Sequence, residues 1–247
     1  MILSEEGDIL SEQGDVITIA VAQPACAPAD VPANAAAHAE MIRAARTDIV
    51  LFPELSLTGY ELDAPPISPN DDDALGPIVE ACAATGALAL AGAPIEEDGR
   101  EYIAMIAVDG TAARVAYRKM WPGEAESRRF TPGRSPAAIE VRGRRLGLAI
   151  CRDSGIPQHA ADTAALGIDG YLVGALFSPA GAVERDARMP QIAAEFGVWV
   201  AVASYAGATT AYPVTSGGSG VWSPDGRLVT QAGPAPGAFV VTKLVLT

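Results

Sequence analysis

The sequence has few of the residues from which metal sites and disulfide frameworks are built. It contains three cysteines and two histidines among 247 residues. The histidines are far apart, and no cysteine pair has the spacing of a zinc site. An odd number of cysteines without such a spacing is typical of reduced thiols in a cytosolic protein. We therefore expect no bound metal and a cytoplasmic location.

Positive charge is also scarce. The 17 lysines and arginines against 30 aspartates and glutamates give a formal net charge of −13. Nucleic acids and anionic membranes attract basic surfaces, so we expect neither as a partner. The sequence also lacks an uninterrupted apolar run of about 18 residues, which excludes a transmembrane helix. The hydrophobic fraction of 49% is nevertheless ample for a buried core.

Strand-like and helix-like segments alternate along most of the chain. The first fifteen residues contain the near-duplicates "ILSEEGD" and "ILSEQGD", and we interpret residues 1–15 as a flexible acidic leader before a single domain, residues 16–247. Short apolar segments typical of strands or hairpins occupy 16–24, 48–54, 87–94, 102–119, 137–151, 170–176, 198–207, 219–230 and 238–246. Segments of helical composition occupy 33–47, 72–85, 157–167 and 184–196. Two strand–helix halves predict an α/β fold with two sheets face to face and helices outside.

Three of the predicted strands end in a residue with reactive chemistry: Glu54 in "FPELSLTGY", Lys119 in "YRK" and Cys151 in "AICRD". Each alone is more often a core thiol or a solvated charge. Together they form a combination that a cysteine nucleophile requires, namely a base or cation for the thiol and a donor for the developing oxyanion. A cysteine–histidine scheme is less well supported, because His38 lies within a predicted helix and His159 opens one.

The three motifs together resemble the nitrilase or carbon–nitrogen hydrolase superfamily. The segment "EAESRRFTPG" is similar to the family's sequence after the lysine and places Glu126 at its supporting glutamate. "RMPQIAAEFGVWVAVASYAG" and "GGSGVWSPDGRLV" extend the resemblance over nearly all of 16–247. The resemblance implies a four-layer α-β-β-α sandwich, no cofactor, and a homodimer or higher homo-oligomer.

The resemblance also implies a reaction and a role for each residue. Cys151 would attack an amide or N-carbamoyl carbon to form a thioester acyl-enzyme, and Glu54 would act as general base. Lys119 and the backbone N–H of Arg152 would bind the oxyanion, and Glu126 would orient Lys119 or the substrate. Ammonia or an amine would then leave, and water would release the acid. The expected partner is therefore a small-molecule amide.

The substrate is the least defined part of this prediction. We interpret Tyr60, Arg152 and Phe177 as substrate-binding residues, and we expect Asp153 to hold neighbouring backbone or to cap the turn after Cys151. Nitrile hydrolysis is less favoured, because true nitrilases more often have Trp-Glu after the cysteine.

Two alternatives of other kinds stay open. Arg152 and Gln158 depart from the family's usual residues, which leaves a non-catalytic domain that binds a metabolite or a protein partner. The other alternative is an acyltransferase that uses the same thioester.

Overall fold

Two mixed sheets make up the centre of the molecule. The computed structural model describes residues 16–69 and 72–245; the predicted leader, residues 1–15, lies outside the described residues. The strands of the first sheet are β1 (Val16–Gln23), β2 (Ile49–Leu51), β3 (Leu88–Glu97), β4 (Arg100–Val108), β5 (Ala113–Arg118) and β12 (Ala238–Val245). Those of the second are β6 (Ala137–Val141), β7 (Arg144–Ile150), β8 (Gly170–Ala175), β9 (Trp199–Ser204), β10 (Gly220–Trp222) and β11 (Leu228–Gln231).

The strand order places parallel strands in the middle of each sheet. The first sheet has the order β12-β1-β2-β3-β4-β5 and the second β11-β10-β9-β8-β7-β6. Strands β1, β2 and β3 are parallel, as are β7, β8 and β9. These central strands are nearly continuous apolar runs, and β2 and β8 are buried along their whole length. Such runs are typical of strands that are covered on both faces.

Four helices cover the outer faces of the two sheets within the described residues. They are α1 (Val31–Ala45), α2 (Asp72–Thr85), α3 (Pro157–Ala164) and α4 (Pro179–Phe196). One apolar cluster lies between the sheets, a second under α1 and α2, and a third under α3 and α4. The predicted four-layer α-β-β-α sandwich is therefore confirmed. None of these helices is long and apolar enough to span a bilayer.

The helix α4 begins earlier than the sequence pattern predicted, at Pro179 instead of near 184. The side chain of Ser178 caps its first turn by accepting a hydrogen bond from the amide of Gly181 at 3.1 Å. Proline is well suited to the first position of a helix, because its fixed φ is already helical and its missing N–H would have no partner there. The cap and the proline together outweigh the poor helix propensity of Gly181.

The topology brings the ends of three strands together. Strand β4 is antiparallel to β3, and β5 is antiparallel to β4, so β5 points in the same direction as β2. The carboxyl ends of β2 and β5 therefore lie at one edge of the first sheet. At that edge the second sheet comes close, because a Cβ at Gly174 of β8 would lie 2.9 Å from the carbonyl oxygen of Phe52. The neighbouring strand β7 ends there at Ile150.

A substitution at Gly92 in β3 tests how closely this strand approaches the turn that carries Glu54. A Cβ at this position would lie 2.5 Å from the carbonyl oxygen of Pro53 and closer still to the amide nitrogen of Leu55, so Gly92→Ala must displace the backbone on both sides of Glu54. We expect the variant to lose about 2 kcal/mol of stability, seen as a lower Tm in thermal unfolding followed by circular dichroism.

The matched control is Gly76→Ala in α2, where an added Cβ meets no atom within 4 Å outside its chain neighbours. Its stability should stay within about 1 kcal/mol of the unchanged protein, because the better helix propensity of alanine is opposed by crowding of its Cβ against Pro77. A Tm for Gly92→Ala equal to that of the unchanged protein would contradict the close approach.

Candidate active site

Glu54 lies on a turn that leaves β2 and is held by α1. Its backbone is nearly in contact with Gly92, and the next residue, Leu55, has a φ of +50°. The ring of His38 in α1 contacts Ser56 Oγ through Nε2 at 2.8 Å and the carbonyl oxygen of Asn34 through Nδ1 at 2.6 Å. Burial lowers the pKa of His38 to about 4, so the ring is neutral; Nδ1 donates and Nε2 accepts. This histidine therefore positions the glutamate's turn.

Lys119 follows directly after β5, and its backbone is tied on both sides. Its amide donates to the carbonyl of Ile103 at 2.8 Å, and its carbonyl accepts from the amide of Gly133 at 2.7 Å. Seven residues later, Glu126 opens a short 3-10 turn, Glu126–Arg128. The amide of Gly123 donates to Glu126 Oε2 at 2.6 Å. The loop after Lys119 therefore folds back and brings the carboxylate of Glu126 to the Lys119 ammonium.

Cys151 follows directly after β7 and opens a 3-10 turn, Cys151–Gly155. Its φ is +46°, a left-handed conformation that a non-glycine residue adopts at a cost of about 1–2 kcal/mol. Ser154 Oγ donates to the cysteine carbonyl at 2.7 Å. The thiol donates to the carbonyl oxygen of Leu176 at 3.5 Å, and the charge of Glu54 is close enough to add to burial in raising the thiol's pKa. The strained turn therefore brings the sulfur near the Glu54 carboxylate.

The side chains of the three strand-end residues and Glu126 meet in one buried cluster. Lys119 Nζ lies 2.6 Å from Glu54 Oε1 and 2.6 Å from Glu126 Oε2. The hydroxyl of Tyr60 is 3.3 Å from an oxygen of each carboxylate. Glu54 and Lys119 are 1% exposed and Glu126 is 6% exposed. The structure thus brings together Glu54, Lys119, Glu126, Cys151 and Tyr60, all of which the sequence singled out.

Burial and the neighbouring charges set the protonation states of this cluster. Burial raises the pKa of Glu54 to about 7, although the ammonium of Lys119 opposes this. Burial and the charge of Glu54 raise the pKa of the Cys151 thiol well above its ordinary value. Burial alone would lower the pKa of Lys119, but the charges of Glu54, Cys151 and Glu126 raise it. At neutral pH the cluster therefore holds a neutral thiol, a fixed ammonium and a carboxyl group poised to exchange a proton.

A second buried network ties the cysteine turn to the lysine segment. Asp153 accepts hydrogen bonds from the amide of Ile150 at 3.1 Å, the amide of Trp121 at 2.8 Å and the hydroxyl of Tyr117 at 2.7 Å. Asp153 therefore holds neighbouring backbone, as expected from the sequence. Since Tyr117 and Trp121 flank Lys119, the aspartate fixes the distance between the sulfur and the ammonium.

The same network continues to the second histidine, which sequence reasoning had assigned no role. His159 contacts the hydroxyl of Tyr117 through Nε2 at 2.9 Å and that of Tyr171 through Nδ1 at 2.8 Å. Because Tyr117 donates its proton to Asp153, Nε2 of His159 must donate and Nδ1 must accept. Burial lowers the pKa of His159, which agrees with this neutral tautomer.

The other two predicted substrate-binding residues lie elsewhere. Arg152 is exposed on the turn after Cys151. Phe177 packs in the apolar cluster under α4, where the guanidinium of Arg185 stands 5.5 Å from its ring centroid. The structure gives neither of them a contact with the cluster, and their role in substrate binding stays a prediction.

Tyr212 is a neighbour of the site that the sequence did not reveal. Its ring meets that of Tyr60 edge to face at a centroid distance of 5.7 Å. It lies in an irregular segment between β9 and β10, which has no periodic pattern. The one available signal is a lone aromatic residue among small and polar ones in "AGATTAYPVTSGGSG". Within the described residues, no three His, Cys, Asp or Glu side chains are grouped so that they could hold a metal ion.

Tyr117→Phe tests the network behind the site. It removes the hydroxyl between Asp153 and His159, so Nε2 of His159 loses its acceptor and Asp153 Oδ2 is left with the amide of Ile150; we expect a loss of about 1–3 kcal/mol in the free energy of unfolding. Guanidinium unfolding followed by circular dichroism measures it. The control is Tyr102→Phe on β4, which changes a half-buried tyrosine whose ring stacks on Arg118. Removing its hydroxyl should change the free energy of unfolding by no more than about 0.5 kcal/mol. Equal effects of the two variants would show that the network contributes nothing specific.

Comparisons with known proteins identify the family of this chain. Residues 18–244 match the carbon-nitrogen hydrolase family. Over 193 residues the chain is 30% identical to an (R)-stereoselective amidase from a Pseudomonas species, which covers 76% of this chain and 69% of that protein.

Two solved structures share the fold. A mutant of the amidase from Nesterenkonia sp. AN1, with the acetamide moiety of fluoroacetamide added covalently at its active-site cysteine, superposes with a TM-score of 0.84 at 25% identity and covers 94% of this chain and 92% of that one. Saccharomyces cerevisiae Nit3, a member of the nitrilase superfamily, gives a TM-score of 0.82 at 21% identity over 94% of this chain and 90% of that one. The resemblance seen in the sequence motifs is confirmed: the chain belongs to the carbon–nitrogen hydrolase family.

Proposed function

We propose that this enzyme hydrolyses the C–N bond of a small amide through a thioester on Cys151, with residues 16–247 as one hydrolase domain. The observation that carries the proposal is the position of Lys119 Nζ, 2.6 Å from each of two buried carboxylates; one of these, Glu54, is close enough to the Cys151 thiol to add to burial in raising the thiol's pKa. This arrangement supports a nucleophile, a base and an oxyanion donor acting on one reacting carbon, as acyl transfer requires.

The protonation states indicate how the first half of the reaction proceeds. Since the thiol of Cys151 is neutral, it attacks the carbonyl carbon as Glu54 takes its proton. A C–S bond forms, and the carbonyl oxygen becomes an oxyanion held by Lys119 Nζ and the backbone N–H of Arg152. Glu54 then passes the proton to the amine nitrogen, the C–N bond breaks, and ammonia or an amine leaves.

The second half of the reaction uses the same groups, with water in place of the thiol as the nucleophile. Water attacks the thioester carbon as Glu54 accepts a proton from it, and the tetrahedral intermediate collapses with cleavage of the C–S bond. The proton returns from Glu54 to the sulfur, and the acid leaves. Glu126 does not take part in proton transfer in this scheme; it holds the ammonium of Lys119 in place. Hydrolysis differs from acyl transfer only in the acceptor of this step.

An amide is the substrate class that the relatives favour. The Pseudomonas relative is named an (R)-stereoselective amidase, and the Nesterenkonia amidase carries an acetamide group on its active-site cysteine. We therefore favour amides over N-carbamoyl compounds, and both over nitriles. A homodimer remains our expectation for the assembly.

Ammonia release from short aliphatic amides, N-carbamoyl compounds and nitriles tests the function directly. We expect turnover of at least one amide, and a loss of about a thousandfold or more in Cys151→Ala, because the thioester cannot form. The matched control is Cys26→Ala, which changes a half-buried cysteine outside the cluster and should keep most of the activity. Intact-protein mass spectrometry should find the acyl adduct in the unchanged protein and not in Cys151→Ala. Ammonia release that survives in Cys151→Ala would overturn the proposal.

The acid limb of the pH profile tests the role of Glu54. The base must be ionised to accept the thiol proton, and its pKa is raised from 4.5 to about 7. We therefore expect kcat/KM to fall about tenfold per pH unit below pH 7 and to level off above it. Lys119 stays protonated over this range, since its pKa is raised as well. A profile that stays flat down to about pH 5, as an ordinary carboxylate would give, would exclude Glu54 as the titrating base.

A further inference from the structure

Residues 207–216 form a strap over the site, and both of its ends are fixed. At its base, Thr215 Oγ1 donates to the carbonyl of Gly207 at 2.6 Å, and the amide of Ser216 donates to the carbonyl of Phe177 at 2.8 Å. Near its tip, the amide and hydroxyl of Thr210 donate to Glu61 Oε1 at 3.1 Å and 2.9 Å. The strap is therefore tethered to the segment that follows Glu54.

The ring of Tyr212 stands at the tip of the strap. A turn fixes it there, because its amide donates to Thr209 Oγ1 and its carbonyl accepts from the Thr209 amide, both at 2.9 Å. Three tyrosines then stand in a row, with Tyr60 6.0 Å from Tyr205 and 5.7 Å from Tyr212 between ring centroids. Tyr60 and Tyr205 are buried, whereas Tyr212 is 38% exposed. Tyr212 is therefore the outermost ring between the cluster and the solvent.

The hydroxyl of Tyr212 lies within electrostatic reach of the reacting groups. Burial raises its pKa, and the charges of Cys151, Glu126 and Glu54 raise it further. Tyr60 completes the connection, because its ring contacts Tyr212 while its hydroxyl contacts both carboxylates. An acyl group on the sulfur that extends past Tyr60 toward the solvent would meet the Tyr212 ring.

The charge of the site limits what this acyl group can carry. Among the described residues, Lys119 is the cation in contact with Glu54 and Glu126, and both carboxylates already engage it. With both ionised, the three groups sum to one negative charge. A carboxylate on the substrate would be repelled by this negative cluster, whose ammonium already engages both carboxylates, so its desolvation would not be compensated there.

We propose that Tyr212 is a specificity-determining residue that closes the acyl pocket and restricts the enzyme to short, uncharged acyl groups. The proposal rests on the proposed amidase function of the same site. The ring blocks long acyl chains by its volume, and the negative cluster rejects acidic ones. Glu61, through Thr210, keeps the strap and its tyrosine over the site.

The size part is tested by the ratio of kcat/KM for hexanamide to that for propionamide. In Tyr212→Ala this ratio should rise about tenfold or more, because removing the ring makes room for the longer chain. Tyr212→Phe keeps the ring and should keep the original ratio within about twofold. The matched control is Val214→Ala, which changes a residue of the same strap that is 63% exposed, and it should also keep the ratio. An unchanged ratio in Tyr212→Ala, or an equal rise in Val214→Ala, would overturn the proposal.

The proposed rejection of negatively charged acyl groups can be tested with the unchanged protein alone. Succinamide and succinamate have nearly the same shape, but only succinamate carries a carboxylate. We expect kcat/KM for succinamate to be at least about tenfold lower, and equal values would overturn this part. Failure of the underlying function has a different signature: the unchanged protein would then release no ammonia from any amide, whereas a failure of the specificity proposal leaves that turnover intact.

Discussion

A buried ammonium held between two carboxylates is the interaction on which the site depends. Removing three charges from water is costly, and a single ion pair often fails to offset that cost. Here Lys119 engages both Glu54 and Glu126, and the amide of Gly123 and the hydroxyl of Tyr60 add donors to the carboxylates. The arrangement keeps the ammonium charged and immobile in a buried site. The same burial raises the pKa of Glu54 to about 7, and this makes its carboxylate suitable as a base near neutral pH.

The surrounding fold holds this cluster through strained backbone. Leu55, Tyr60 and Cys151 all have positive φ, between +46° and +61°, and all three lie at or beside the cluster. Conformations of this kind persist only where neighbouring structure determines them completely. Here His38 fixes the turn after Glu54, and Asp153 fixes the turn at Cys151. The two sheets thus bring the reactive residues to one edge, and the buried hydrogen-bond networks fix the turns that carry them.

The layers and the strand-end residues could be predicted from the sequence, because apolar runs, hairpin turns and the residues that follow a strand are local signals. The start of α4 at Pro179 was missed, since a side-chain cap by Ser178 outweighs composition. Tyr212 could not be predicted, because its contact with Tyr60 depends on the path of an irregular strap between two remote parts of the chain. The raised pKa of Glu54 was out of reach for the same kind of reason: it comes from burial by side chains distant in sequence.

The features that local sequence signals predict and those that depend on remote contacts lie in different parts of the site. The reacting groups stand on strand ends and on turns held by buried networks, where a shift of about 1 Å would already disturb the placement of sulfur, carboxylate and ammonium. Tyr212, which we propose to face the variable part of a substrate, stands on a tethered strap at the surface, where a change of side chain disturbs little else. Tyr60 belongs to both regions, because its hydroxyl contacts the carboxylates and its ring contacts Tyr212. A change in the strap can therefore alter substrate choice while the chemistry stays the same, provided that the Tyr60 hydroxyl remains in place.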